Sequence, residues 1–325
     1  MPRDPASVPP PRPLPTPVPD PRSQVEWGDW IVARAAAAIG AHASVAATMR
    51  QRAELFGRPV FGKGRYCQQG RGEEMRTRIE LKVQVDGQIS SMLQIADGQT
   101  LWTDWQQGTE RKVLSVDLQR VRAELDSGAD SGTGLSQLLV VGGLPDLMAS
   151  LAMRFQFDAP TESRLGDLPT YCLLGRWRAE QACGSATGQT GAADGPQRAA
   201  HDSMPAHVPT EVQLVLGRDD LFPHVIEYRR GRNKRAGQGG GSRGASQPLL
   251  RMELFDVQIA MPLDPRQFVY RPGDVESKDD TARYLAARNS SRSAERISRR
   301  GAENAAPKRS ETSVPQRRER GDDTR

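Results

Sequence analysis

The four histidines are the side chains best suited to proton transfer or metal binding near neutral pH. Their placement argues against both. His42 falls in a predicted opening helix, His201 and His207 in a Gly/Ala-rich stretch, and His224 at the start of a predicted strand. No two stand at metal-ligand spacing within one structured element. The chain has no GxSxG, no HExxH and no phosphate-binding loop. Gly62-x-Gly64 lacks a third glycine and a following helix. Asp97 and Asp104 are carboxylates near a predicted turn, where such groups are ordinarily solvated. The expectation is no catalytic residue, no metal and no cofactor, and therefore not an enzyme.

Cys67, Cys172 and Cys183 show no CxxC pair, and their odd number leaves at least one unpaired within the chain. Cys67 and Cys172 sit in strand-like runs, where a cysteine serves as a small buried apolar residue. In an exported protein those two could instead pair.

The elements around these residues are mostly strands. From Met75 to Trp105 polar and apolar residues alternate. Thr77, Ile79, Leu81, Val83 and Val85 share one side, and Arg76, Arg78, Glu80, Lys82 and Gln84 share the other. That period of two predicts a sheet with one face buried and one wetted. Asp86-Gly87 and Asp97-Gly98 predict the hairpin turns. Before this block, Asp29 is expected to cap a helix from Trp30 to about Leu55, with an alanine-rich stripe that must lie close to a flat surface. A first strand is expected at 64–69. After it come Glu110 to Val116, a short helix capped by Asp117, and strands at 153–158, 170–177, 211–217, 223–230, 248–259 and 267–271. Residues 135–152 are apolar nearly all round, are broken at Gly142-Gly143 and restart at Pro145, which predicts a helix pair facing apolar surface on more than one side. In 249–259 the apolar phase switches between Leu254 and Phe255, which reads as a bulge.

Composition limits what can fold. Ten prolines crowd the first 22 residues, so residues 1–23 read as an extended arm. Stretches 181–209 and 231–247 read as mobile insertions, and 276–325 as a charged tail. One domain, 24–275, remains. The net charge is +5, and residues 277–325 carry all of that excess, with 13 Lys or Arg against 8 Asp or Glu. The folded part is balanced, so no nucleic-acid partner is expected for it. No window is apolar enough for a transmembrane segment, and no signal peptide is visible.

The order of these elements resembles the family of outer-membrane lipoprotein carrier proteins and their lipoprotein-sorting relatives. The resemblance runs over roughly 28–276 through GKGRY, RIEL, IADGQTLWT, MRFQF, LLRMELFDVQI and MPLDPRQFVYRPGDVE. Its most specific pieces are Asp97-Gly98 leading to Leu101-Trp102, and Phe268 followed by Pro272-Gly273-Asp274-Val275. The family's proline-containing segment is replaced by Arg71-Gly72-Glu73-Glu74.

The resemblance implies a mainly β (α+β) fold: a curved, antiparallel, unclosed β-barrel of about ten strands with helices covering its open face. It implies a non-enzymatic envelope or periplasmic protein that encloses a lipid or lipoprotein acyl group for transport. Leu81, Val83, Leu93, Ile95, Trp102 and Phe155 would line the concave sheet, and Leu139, Leu144, Leu147 and Met148 the covering helices. Arg76 and Arg78 are equal candidates for the family's lid-locking arginine. The alternative is a sensor or protein-interaction module of the same fold that regulates an envelope partner protein.

Overall fold

A computed structural model of the chain describes residues 24–55, 58–85, 87–126, 135–178, 209–231 and 246–286. The proline arm, most of both insertions, the tail beyond 286, Cys183, His201 and His207 lie outside the described residues.

Helix α1 spans Gln24–Ala41 and is followed at once by strand β1, Ser44–Leu55. The helix therefore starts before Asp29 and stops well short of Leu55. Ile31, Ala35 and Ile39 form its buried stripe. Beyond Ala43 the small residues Val45, Ala47 and Met49 recur every second position, and a strand explains their burial better than a helix does. β1 is secured on both sides, by β2 (Arg58–Gln69) and by β12 (Gln247–Ile259). Asp29 does not cap the helix. It lies within it, accepting from the Phe157 backbone N–H at 2.8 Å and from the Arg178 guanidinium at 2.6 Å.

The other strands are β3 (Arg76–Val85), β4 (Gln88–Ala96), β5 (Thr100–Gln107), β6 (Glu110–Asp117), β7 (Phe155–Phe157), β8 (Thr161–Leu165), β9 (Leu168–Trp177), β10 (Glu211–Gly217), β11 (Pro223–Arg230) and β13 (Ser277–Asp279). All thirteen join one open sheet, in the order β13-β6-β5-β4-β3-β2-β1-β12-β11-β10-β9-β7, with β8 on β9. Every pairing is antiparallel except β13 on β6. The fold is thus mostly β, an unclosed curved sheet with few helices, as expected. It has more strands than the ten expected, because β1 was read as part of the opening helix and β8 and β13 carry too little apolar pattern to be read from sequence.

Four helices cover the inner face: α1, α2 (Leu118–Asp126), α3 (Leu135–Val141) and α4 (Gly143–Arg154). α1 packs on α4 and β7, and α3 lies over β3 and β4. Asp117 caps α2 through its Oδ1, which accepts from the N–H groups of Gln119 and Arg120. The core gathers Ile31, Val32, Leu144, Leu147, Met148, Leu151, Phe155 and Phe157 against Tyr66, Ile79, Leu214 and Ile226.

Two regions correct the sequence reading. Residues 267–271 are not a strand: a turn of 3-10 helix at Pro265–Phe268 leads into irregular chain. The bulge in β12 falls at Asp256, whose φ is +52°, one residue later than the phase switch suggested. The fold also continues past 275. β13 adds to the sheet edge, and a helical segment at 281–286 buries Thr281 completely while Tyr284 and Leu285 pack on the core.

Candidate functional site

Register decides which face each side chain occupies, because residues directly paired across strands share a face. Leu81 pairs with Met92 and Gly64, and Val83 with Ser90 and Gly62, so all of these face the helices. Leu93 pairs instead with Glu80, and Ile95 with Arg78 and Trp102. Leu93, Ile95 and Trp102 therefore occupy the outer face, opposite to the expected one. The pairing of Val85 with Gln88, across a connection of two residues, forces this. Counting back from that pairing would have revealed it. What obscured it is that β4 is apolar on both faces, with Met92 beside Leu93.

The outer-face trio has its own cover. The Trp102 ring stacks on Tyr270, and the segment after β12 crosses this face with Phe268 buried on Ala46 and Cys67. Arg78, a candidate lid arginine, lies here too and donates to the Gln267 carbonyl at 2.8 Å. Arg76 pairs with Gln69 on the same side and is exposed. Neither arginine faces the helices.

Leu139, Leu144, Leu147, Met148 and Phe155 do come together on the inner side, at most 5% exposed. They fill the space beneath the helices with side chains. What holds that cover down is polar. Thr77, between the two arginines, donates its hydroxyl to the Val140 carbonyl at the end of α3. The Tyr66 hydroxyl donates to Gln68 Oε1 at 2.7 Å, and the Leu144 N–H at the start of α4 meets both oxygens, at 3.0 and 3.1 Å. Gln68 and Thr77 are directly paired across β2 and β3. The break between the helices is thus latched to two adjacent strands. It needs Gly143, whose φ is +71° and whose missing Cβ would come within 2.9 Å of Gln68 Oε1. Burial pushes the Tyr66 phenol far above its ordinary range, so this latch stays protonated.

Beyond α3 the inner face continues toward the far strand ends. Val83, Met92, Trp105 and Leu250 are only half-buried there, beside Gly62 and Gly64, which add no side chain. Leu250 was not among the expected liners.

Burial raises the Cys67 thiol, and Cys67 and Cys172 are both free cysteines. His224 Nδ1 lies 3.2 Å from the Leu254 carbonyl oxygen. Burial works against the charged form of Glu227, yet bonds from Arg229 and Arg251 hold its carboxyl below the usual range. Among the described residues no cluster of His, Cys, Asp and Glu could hold a metal ion, and no helix is long and apolar enough to cross a membrane.

No family model and no curated protein matches the chain. Solved structures align with it at low similarity. An uncharacterized conserved protein from Thermus thermophilus aligns with a TM-score of 0.39 and 9% identity, over 77% of this chain and 97% of its own. A DUF1329 family protein from Desulfovibrio piger aligns at 0.35 and 9%, over 76% and 98%. A putative outer membrane lipoprotein-sorting protein domain from Vibrio parahaemolyticus aligns at 0.30 and 10%, over 75% and 97%. Likenesses this distant carry no functional weight; the open half-barrel rests on the strand pairings themselves.

Proposed function

We propose that this chain is a non-enzymatic binding protein of the cell envelope, and that the far end of its inner sheet face takes the acyl part of a lipid or lipoprotein. The observation that supports it most is the half-buried apolar wall of the inner face, where Met92 is directly opposite Trp105 and Val83, Met92 and Leu250 pack against the core. An acyl chain laid along that wall gains about 0.8 kcal/mol for each CH₂ removed from water. To go deeper it must lift α3, whose Val140 carbonyl is held by Thr77, beside the start of α4, which the Tyr66–Gln68 pair anchors.

The filled interior supports a second reading. Because Leu144, Leu147, Met148 and Phe155 already occupy the space beneath the helices, the same fold could serve as a sensor or interaction module for an envelope protein. The experiment is native mass spectrometry of gently purified full-length chain, with titration by a fluorescent fatty acid. Co-purifying acyl species and saturable uptake are expected. A ligand-free protein that ignores the probe overturns the carrier reading and leaves the interaction role.

A further inference from the structure

The ladder sets three cations side by side on the outer face. Arg50 of β1 is directly opposite Lys63 of β2, which is directly opposite Lys82 of β3. Adjacent strands lie about 4.8 Å apart, so the row spans roughly 10 Å. Like charges directly opposite each other destabilise a sheet, and here the repulsion occurs twice in succession. The next row repeats it, with Arg52 opposite Arg251. Glu253 beside Arg50 and Glu227 beside Arg251 engage Arg251. Among the described residues Arg50, Arg52, Lys63 and Lys82 have no carboxylate partner; Arg50 and Arg52 lie over the rings of Phe255 and Phe61.

The cations border a groove of about 490 Å³ whose rim carries Phe61 and Ile89. These two side chains, 53% and 65% exposed, stand beside the ends of the β1–β2 and β3–β4 hairpins. Phe61 and Ile89 flank Gln84 in one cross-strand row, which gathers their exposed apolar surface on one rim beside the cations.

We propose that this face docks the protein on the surface of an anionic phospholipid bilayer. Phe61 and Ile89 enter the interface, and Arg50, Lys63 and Lys82 meet the headgroup phosphates. Charge complementarity selects the occupant: a dense array of phosphates relieves three adjacent like charges at once, and the long Lys and Arg stems cover apolar surface while their heads reach the anions. A peptide with scattered acids would match the row less well and would leave the protruding apolar pair unused. The proposal is independent of acyl binding on the inner face.

The test is co-sedimentation of the full-length chain with vesicles of phosphatidylglycerol in phosphatidylcholine, against pure phosphatidylcholine, over a salt series. The wild type is expected to bind the anionic vesicles and to release as salt rises. The double variant Lys63→Gln/Lys82→Gln should lose affinity about thirtyfold, since each basic residue near an anionic surface contributes about fivefold. Its melting temperature should hold or rise, because a repulsive pair is gone. Phe61→Ser/Ile89→Ser should weaken vesicle binding too, with unchanged circular dichroism. Both doubles should keep fatty-acid uptake in membrane-free buffer, which separates failure here from failure of the carrier reading. The basic tail is intact in all of them, so double variants that sediment like the wild type overturn the proposal. Equal binding to neutral vesicles does so as well. Binding to soluble polyglutamate without binding to vesicles would point to an acidic protein partner and also overturn it.

Discussion

The Trp102 and Tyr270 rings stack with centroids 5.2 Å apart and planes at 27°, tying the closing segment of the domain to the outer face of its central strands. The Tyr270 hydroxyl donates to Asp104 Oδ2 at 2.9 Å, and Arg111 completes the cluster with a bidentate bond to the same carboxylate, at 3.1 and 2.8 Å. With the buried Phe268 and the Arg78 bond to the Gln267 carbonyl, this aromatic contact and this charge-assisted network hold down a strap that has no ladder hydrogen bonds of its own until β13.

Removing the ring should therefore cost more than removing the hydroxyl. Tyr270→Ala is expected to lower stability by about 2–4 kcal/mol, from the lost stack and a hydrogen bond to a charged group. Tyr270→Phe should lose only about 1–2 kcal/mol. Urea midpoints of the two variants measure this, and equal losses would show that the stack contributes nothing.

Asp104 also predicts an acid limb of stability. The bonds from Arg111, with that from Tyr270, hold its carboxyl below the usual range against the opposing effect of burial. A depressed folded value means the stabilisation is fully present above the unfolded carboxylate value of about 3.9. It is lost as pH falls through the folded value. Below pH 4 the wild type should lose stability more steeply than Asp104→Asn, and melting temperatures from pH 6 to pH 2 test the difference. Parallel curves would remove Asp104 from the account.

Two neighbours on β4 separate the faces. Met92→Glu places a charge on the inner wall and should abolish fatty-acid uptake. Leu93→Glu lies outside, opposite Glu80 and Asp104, and should leave uptake intact at a cost of up to about 1 kcal/mol from like-charge pairing. Uptake lost in both, or lost only with Leu93→Glu, would mean that the inner wall is not the site.

Gly64 has a packing role that no periodicity shows. A Cβ there would come within 1.6 Å of the Glu80 carbonyl oxygen, which is backbone and cannot swing away. Gly64→Ala should cost about 1–3 kcal/mol as β2 and β3 move apart. At Gly62 the nearest obstacle is the flexible Leu81 side chain at 3.0 Å, so Gly62→Ala should cost clearly less. Thermal melts of the pair give the comparison.

The strands were the most legible part of this chain, because alternation is local and β3 shows it without error. The short helix after Asp117 and the break at Gly142-Gly143 were legible for the same reason, each set by a residue with a specific backbone role. The opening helix was overread. Alanine and methionine at mixed spacings satisfy a helical stripe and a strand face alike, and the 24–41 helix separates from β1 only once β2 and β12 claim its neighbour. Leu250 was missed because a half-buried wall residue and a core residue look the same until the cover above them is placed.

By itself the sequence determined that this chain folds mainly as antiparallel strands with an apolar helix pair that must face apolar surface, and that its balanced domain carries a basic tail. Those properties depend on neighbours a few residues apart. Which apolar residues line the inside was decided only in three dimensions. Turn lengths set the register between strands, and register sent Leu93, Ile95 and Trp102 outward. The same cross-strand pairing aligned Arg50, Lys63 and Lys82, which lie on three separate strands, into a single row.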